Sequence, residues 1–210
     1  ATLLAHRELR NRGLLDNANL IVAGHSVGEI AAYAIAGVIS PDDAIALATT
    51  RGAEMAKACA VEPTGMSAVL GGDEQEVLAA LQDLDLVPAN RNATGQIVAA
   101  GRVEALAKLA ENPPEKARVR QLATAGAFHT QFMTPASDGY AAAAAKVATA
   151  EPTAGVTLLS NADGRPVASA ADAMAKLVAQ MTSPVRWDLC TATMRDRGVA
   201  AVVEFPPAGA

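Results

Sequence analysis

The chain has 210 residues, 51% of them apolar and 19% charged, proportions that fit a folded protein with room for a substantial core and one small extra domain and that exclude a disordered chain. A net charge of −5 with no Lys/Arg-rich run excludes a binder of nucleic-acid backbones. The opening ATLLAHRELRNRGLL lacks the apolar core and cleavage site of a signal peptide, and no later apolar run reaches membrane-spanning length, so the chain reads as cytoplasmic, without membrane contact, and by default monomeric.

In chain order, the leucines of residues 3–15 are spaced for a helix, and Asn19 to Gly24 (NLIVAG) is a short buried strand. His25-Ser26-Val27-Gly28 follows, then an Ala-rich helix that stops at Gly37. Ser40 as N-cap, Pro41 at the first helical position and Asp42 and Asp43 in the first turn start a helix that runs to Cys59. Residues 65–71 read as a strand, DEQEVLAALQDL as a helix, and LVPANRNA and GQIVAAG as two strands around Thr94-Gly95. A helix over 103–111 and a strand over 117–122 follow. This βαββαβ order is the ferredoxin-like pattern of an inserted subdomain at 64–125, set in an α/β core made of 1–63 and 126–210. Strands are expected at 155–161 and 198–205, and helices at 132–149, 172–181 and 184–197. Cys59 and Cys190 have no CxxC spacing and no His partner, so they read as two buried, reduced thiols, with no metal site.

Gly24-His25-Ser26-Val27-Gly28 satisfies G-x-S-x-G between a predicted strand and a predicted helix, the setting in which that pattern forms a nucleophile elbow; a tight turn without chemistry is the other reading. The glycines would let the backbone turn sharply with the serine exposed at the tip, and the helix start would aim free N–H groups at Ser26. A serine hydroxyl needs a base, and the chain offers only His6, His25 and His129. His25 adjoins the serine at a sharp turn, where neighbouring side chains diverge, and reads as a brace. His6 lies in the leading helix with no catalytic companion. His129 sits in Gly126-Ala127-Phe128-His129, where the inserted unit rejoins the core and a cleft between two units would lie; a structural histidine is the alternative there.

The segments GHSVGE, Arg51-Gly52, AGAFH and SPVRW, in this order along essentially the whole chain, resemble the malonyl-CoA:acyl carrier protein transacylases and the related acyltransferase domains of fatty-acid and polyketide synthases. The resemblance implies a three-layer, hydrolase-like core around the inserted unit, with Ser26 as the acylated nucleophile and His129 as its base. A main-chain carbonyl at Gln180 would orient the histidine in place of a third acid. It implies that Arg51 pairs with the free carboxylate of a malonyl group, a role suited to a planar guanidinium that binds carboxylates bidentately. Met55 and Phe128 would line the acyl pocket, Asn92 would stand near the cleft or serve only as a strand-turn residue, and the amide of Val27 would donate to the oxyanion. The implied reaction carries malonyl from malonyl-CoA, a CoA thioester substrate, to the phosphopantetheine thiol of an acyl carrier protein, with no cofactor or metal bound to the enzyme. Arg118, Arg120 and Arg186 could meet an acidic carrier, although scattered arginines are usually solvated surface.

The family's N-terminal strand and Gly-Gln-Gly loop have no counterpart in the sequence, and Phe205-Pro206-Pro207-Ala208-Gly209 stops where the family continues into a helix. The loop's Gln normally supplies a second oxyanion amide, and losing one such donor costs about 2.7–4 kcal/mol. The resemblance therefore implies a piece of a larger enzyme that is poorly active alone. A lipase-like serine hydrolase shares the elbow, and a non-catalytic module binding acyl-CoA or a carrier protein is the reading from another class.

Overall fold

The hydroxyl of Ser40 accepts the amide of Asp43 at 3.0 Å, Pro41 stands in the first turn, and the longest helix of the chain begins there, as its sequence announces. In the computed structural model, which describes residues 1–15 and 19–207, that helix is α3 (Pro41–Cys59). Before it come α1 (Thr2–Asn11), β1 (Leu20–Val22) and α2 (Gly28–Ile35). After it run β2 (Thr64–Gly71), α4 (Glu74–Asp83), β3 (Val87–Ala93), β4 (Gln96–Arg102), α5 (Val103–Glu111) and β5 (Ala117–Gln121). A 3-10 turn (Gln131–Met133) leads into α6 (Thr134–Ala144), β6 (Val156–Leu158), α7 (Ala170–Ala179), β7 (Val185–Arg186) and α8 (Trp187–Asp196). The chain is thus mixed α/β, and no helix among the described residues is long and apolar enough to cross a membrane.

Two sheets organise these elements. β1 and β6 pair in parallel, Leu20 with Val156 through Val22 with Leu158, so both strands deliver their following loops to the same end. The second sheet has the order β5-β2-β4-β3-β7. Its first four strands are antiparallel neighbours, and β7 lies parallel to β3. β4 is buried on both faces: Ile97 and Ala99 join a core with Leu81, Leu106 and Leu109 beneath α4 and α5, while Val98 and Ala100 face Met66 and Ala127. The largest core gathers α2, α3, α6 and α7 around Ile30, Tyr33, Leu47, Met133, Tyr140 and Leu177. Phe128 packs against both this core and the Met66 cluster, so the segment that leads to His129 is held between the two sheets' cores.

Four expectations give way. The helix expected at 132–149 is preceded by the 3-10 turn that Thr130 caps, has Pro135 in its first turn, and ends at Ala144, beyond which Ala150 N–H is drawn to Val38 O. The helix expected at 184–197 begins only at Trp187, because Val185 and Arg186 pair with Asn90 and Arg91 on the open edge of β3. No strand forms at 198–205, where Val202 and Val203 are 75% and 60% exposed; the run pairs with no other strand among the described residues and so has no ladder hydrogen bonds to hold it extended. Cys190 is buried but Cys59 is only half-buried; both are free thiols. Ala208 and Gly209 lie outside the described residues.

Candidate active site

β1 ends at Val22 and α2 starts at Gly28, so the chain must reverse direction within five residues. It does so with Ser26 at φ 55°, a left-handed conformation that a residue with a side chain holds only under constraint. Gly24 is required by close approach: a Cβ there would stand 2.1 Å from the carbonyl of Gly28. Gly28 is not so constrained, since a Cβ at that position meets nothing within 4 Å, and only the first glycine of the motif has the steric role expected of both. The amides of Gly28 and Glu29 are taken by His25 O and Ser26 O. That leaves Val27 N–H, at the N-terminus of α2, without a partner among the described residues, and the Val27 side chain is 50% exposed.

Ser26 Oγ lies 2.7 Å from Nε2 of His129, which is buried and, like Ser26, carries a positive φ, 62°. The other ring nitrogen, Nδ1, lies 2.9 Å from the main-chain oxygen of Gln180. A carbonyl can only accept, so Nδ1 carries the proton of the neutral ring and Nε2 is left to accept from the serine hydroxyl. Gln180 can offer its carbonyl because it is the C-cap of α7, where carbonyls have no intrahelical partner, and that helix end carries partial negative charge suited to an imidazolium. Burial first, and then the Arg51 charge, push His129 down to about 4, which keeps it neutral near pH 7.

Arg51, on the buried face of α3, points Nη2 at Ser26 Oγ (3.4 Å) and at Gln180 Oε1 (3.3 Å). It is 6% exposed, and among the described residues no carboxylate lies within 4.0 Å of it. A buried guanidinium stays protonated, so this charge has donors to spare beside the serine. Met55 follows one turn later on α3 and is buried in the core against which Phe128 packs. Asn92 Oδ1 bonds His25 Nε2 at 2.9 Å, and the His25 ring meets Trp187 edge-on at 5.6 Å, so β3 and α8 brace the elbow through His25. His6 lies elsewhere, stacked edge-on against Phe205. Arg186 is held by both oxygens of Asp188, whereas Arg118 and Arg120 are exposed on β5.

Ser26, His129, Gln180 and Arg51 are thereby brought within hydrogen-bond reach of one another from four separate stretches of chain. An acyl transferase domain model matches residues 5–209. The chain belongs to the acyl transferase family. Within this family, the malonyl CoA-acyl carrier protein transacylase of Mycobacterium bovis is 75% identical over 209 residues, which are 100% of this chain and 68% of the relative. The crystal structure of MCAT from Mycobacterium tuberculosis superposes with a TM-score of 0.97 at 74% identity, covering 100% of this chain and 68% of that one. A malonyl-transacylase solved in complex with its type II polyketide-synthase acyl-carrier protein has a TM-score of 0.85 at 28% identity, covering 94% of this chain and 65% of that one.

Sequence reasoning missed two residues of this candidate site. Asn161 Oδ1 accepts the Ser26 amide at 2.8 Å, and its Nδ2 donates to Gly24 O at 2.8 Å. Glu29, 0% exposed, accepts from Asn161 N–H and from Gln180 Nε2, each at 2.6 Å. Signals for both existed: Glu29 lies one helical turn past the serine, and Asn161 closes the apolar run of a strand parallel to β1, at the strand ends where α/β sites collect.

Proposed function

We propose that this acyltransferase moves a malonyl group from malonyl-CoA to the phosphopantetheine thiol of an acyl carrier protein through an ester on Ser26. The observation that carries the reading is Arg51: a buried, protonated guanidinium without a carboxylate partner, 3.4 Å from the candidate nucleophile, is built for an acyl group that brings its own carboxylate. The names of the relatives agree with it.

His129 Nε2 takes the proton as Ser26 Oγ attacks the thioester carbon, and the oxyanion forms beside Val27 N–H at the positive end of α2. The C–S bond breaks, and the protonated His129 returns its proton to the departing CoA thiolate. In the second half-reaction His129 takes the proton of the carrier's thiol, sulfur attacks the malonyl ester, and Ser26 leaves with that proton restored. Arg51 holds the distal carboxylate throughout, with Met55 and Phe128 against the acyl chain. Asn92 acts through His25, as a brace of the elbow and not as a contact to substrate.

The strand order β5-β2-β4-β3, antiparallel throughout with α4 and α5 over one core, supports a ferredoxin-like subdomain at 64–125. The parallel β1–β6 pair between helices supports a hydrolase-like three-layer core formed by the flanking segments. Transfer is tested by mixing the protein with malonyl-CoA and a phosphopantetheinylated carrier protein and weighing the carrier. A malonyl increment on the carrier that disappears with Ser26→Ala is expected; release of free malonate with no loaded carrier would identify a hydrolase.

A further inference from the structure

Glu29 takes no part in the transfer steps, yet it is the only buried acidic side chain among the described residues. Both of its oxygens face donors: Oε1 accepts from the Asn161 amide and Oε2 from Gln180 Nε2, each at 2.6 Å. An ionised carboxylate accepts both contacts with acceptor-only oxygens, whereas protonation would turn one of them into an O–H and weaken the pair. The second contact fixes the direction of the Gln180 side-chain amide. With Nε2 drawn to Glu29, and within 3.2 Å of Ser26 O and Asn161 Oδ1, Oε1 faces Arg51 Nη2 at 3.3 Å. A reversed amide would set an NH2 group against the guanidinium. We propose that Glu29 is a positioning residue for acyl selection: its carboxylate orients the Gln180 amide, whose oxygen in turn holds the Arg51 guanidinium beside Ser26.

The proposal rests on the reading of Arg51 as the partner of the malonyl carboxylate. It adds that selection depends on a group that never touches substrate. Burial raises Glu29 to about 7 against the opposing hydrogen bonds of Asn161, Ser160 and Gln180 and the charge of Arg51. The other titratable groups that act on it electrostatically are Tyr140 on α6, Cys190 on α8 and Tyr33 on its own helix; each of these is pushed up from its ordinary value, chiefly by burial, and stays neutral near pH 7. Preference for malonyl over acetyl should therefore rise with pH through about 7 as Glu29 ionises.

The test measures initial rates of Ser26 acylation by malonyl-CoA and by acetyl-CoA, read by intact mass at pH 8, for wild type, Glu29→Gln, Arg51→Ala and the double variant, with folding checked by thermal melting. The malonyl-to-acetyl ratio is expected to fall at least about tenfold in Glu29→Gln, because a neutral amide facing two donors cannot hold the relay. In the Arg51→Ala background the same change should leave the ratio where Arg51→Ala alone puts it. A Glu29→Gln variant that slows both donors equally, or that shifts the ratio again without Arg51, overturns the proposal. Wild-type selectivity that Arg51→Ala abolishes and Glu29→Gln keeps overturns the proposal alone; absence of wild-type selectivity removes both it and the malonyl reading. Should Glu29→Gln fail to fold, Gln180→Met deletes the amide but keeps the main-chain carbonyl on His129. The same loss of ratio is expected there, and a retained ratio overturns the proposal.

Discussion

The side-chain oxygen of Asn161 accepts the backbone N–H of Ser26 at 2.8 Å, across 135 positions of sequence, and so pins the one residue of the elbow that sits at a positive φ. The same amide gives its NH2 to Gly24 O, tying both ends of the turn to the loop after β6. Asn161→Ala would leave two half-buried backbone groups without their partner, a loss of about 1–3 kcal/mol in all, and should lower Tm by about 3–9 °C while slowing Ser26 acylation. Asn161→Asp should not rescue it, because its second oxygen would face the Gly24 carbonyl; an aspartate variant with wild-type Tm and rate would contradict this account of the elbow.

The two glycines of the elbow should respond in opposite ways. At Gly24 a methyl group would lie 2.1 Å from backbone atoms of Gly28, so Gly24→Ala must displace the turn and should lower Tm by about 5–10 °C. At Gly28 there is open space, and Gly28→Ala should leave Tm within about 2 °C of wild type or raise it. Thermal melting of the two variants checks the contrast.

Arg51→Ala should reduce malonyl loading relative to acetyl loading by about 10- to 150-fold, the equivalent of one charge-assisted contact of about 1.5–3 kcal/mol. Competition between the two CoA esters for Ser26 measures it directly. Arg51→Lys should recover only part of the preference, since an ammonium cannot copy the bidentate geometry. An unchanged ratio in both variants would remove Arg51 from selection.

The pH dependence of acylation carries the signature of His129. Its pKa in the folded protein is depressed to about 4, so the neutral base is present at higher pH and is lost as pH falls through that value. With acetyl-CoA as donor, kcat/KM should therefore hold between about pH 8 and pH 5 and decline below, instead of declining near the ordinary histidine value of about 6.5. Part of the depression comes from the Arg51 charge, and a bound malonyl carboxylate would offset it; the acid limb of kcat for malonyl-CoA should lie above that for acetyl-CoA. Coincident limbs near 6.5 would show that His129 is solvated and uncoupled from Arg51.

Much of this was legible where the signals are local. Ser40-Pro41-Asp42-Asp43 specifies its helix start through contacts three residues apart, and the short apolar run of Gln96–Arg102 beyond Thr94-Gly95 marks a strand, which the fold buries on both faces. The elbow was legible because strand, small turn and helix follow each other directly around Ser26. Elimination among three histidines led to His129, whereas the Gln180 carbonyl and the Arg51 role came from family resemblance, because nothing local to a helix end or an Ala-rich helix says what it will face. Glu29 and Asn161 escaped for the same reason: their partners lie 151 and 135 positions away. β7 was misread as helix because its two residues are extended only by the edge of β3, a partner distant in sequence.

The most direct test of the central claim is the intact mass of the protein after separate exposure to malonyl-CoA and acetyl-CoA, with Ser26→Ala in parallel. A malonyl adduct that exceeds the acetyl adduct and vanishes in Ser26→Ala is the predicted result. A malonyl adduct that survives in Ser26→Ala, or no adduct from either donor, would contradict acyl transfer through Ser26.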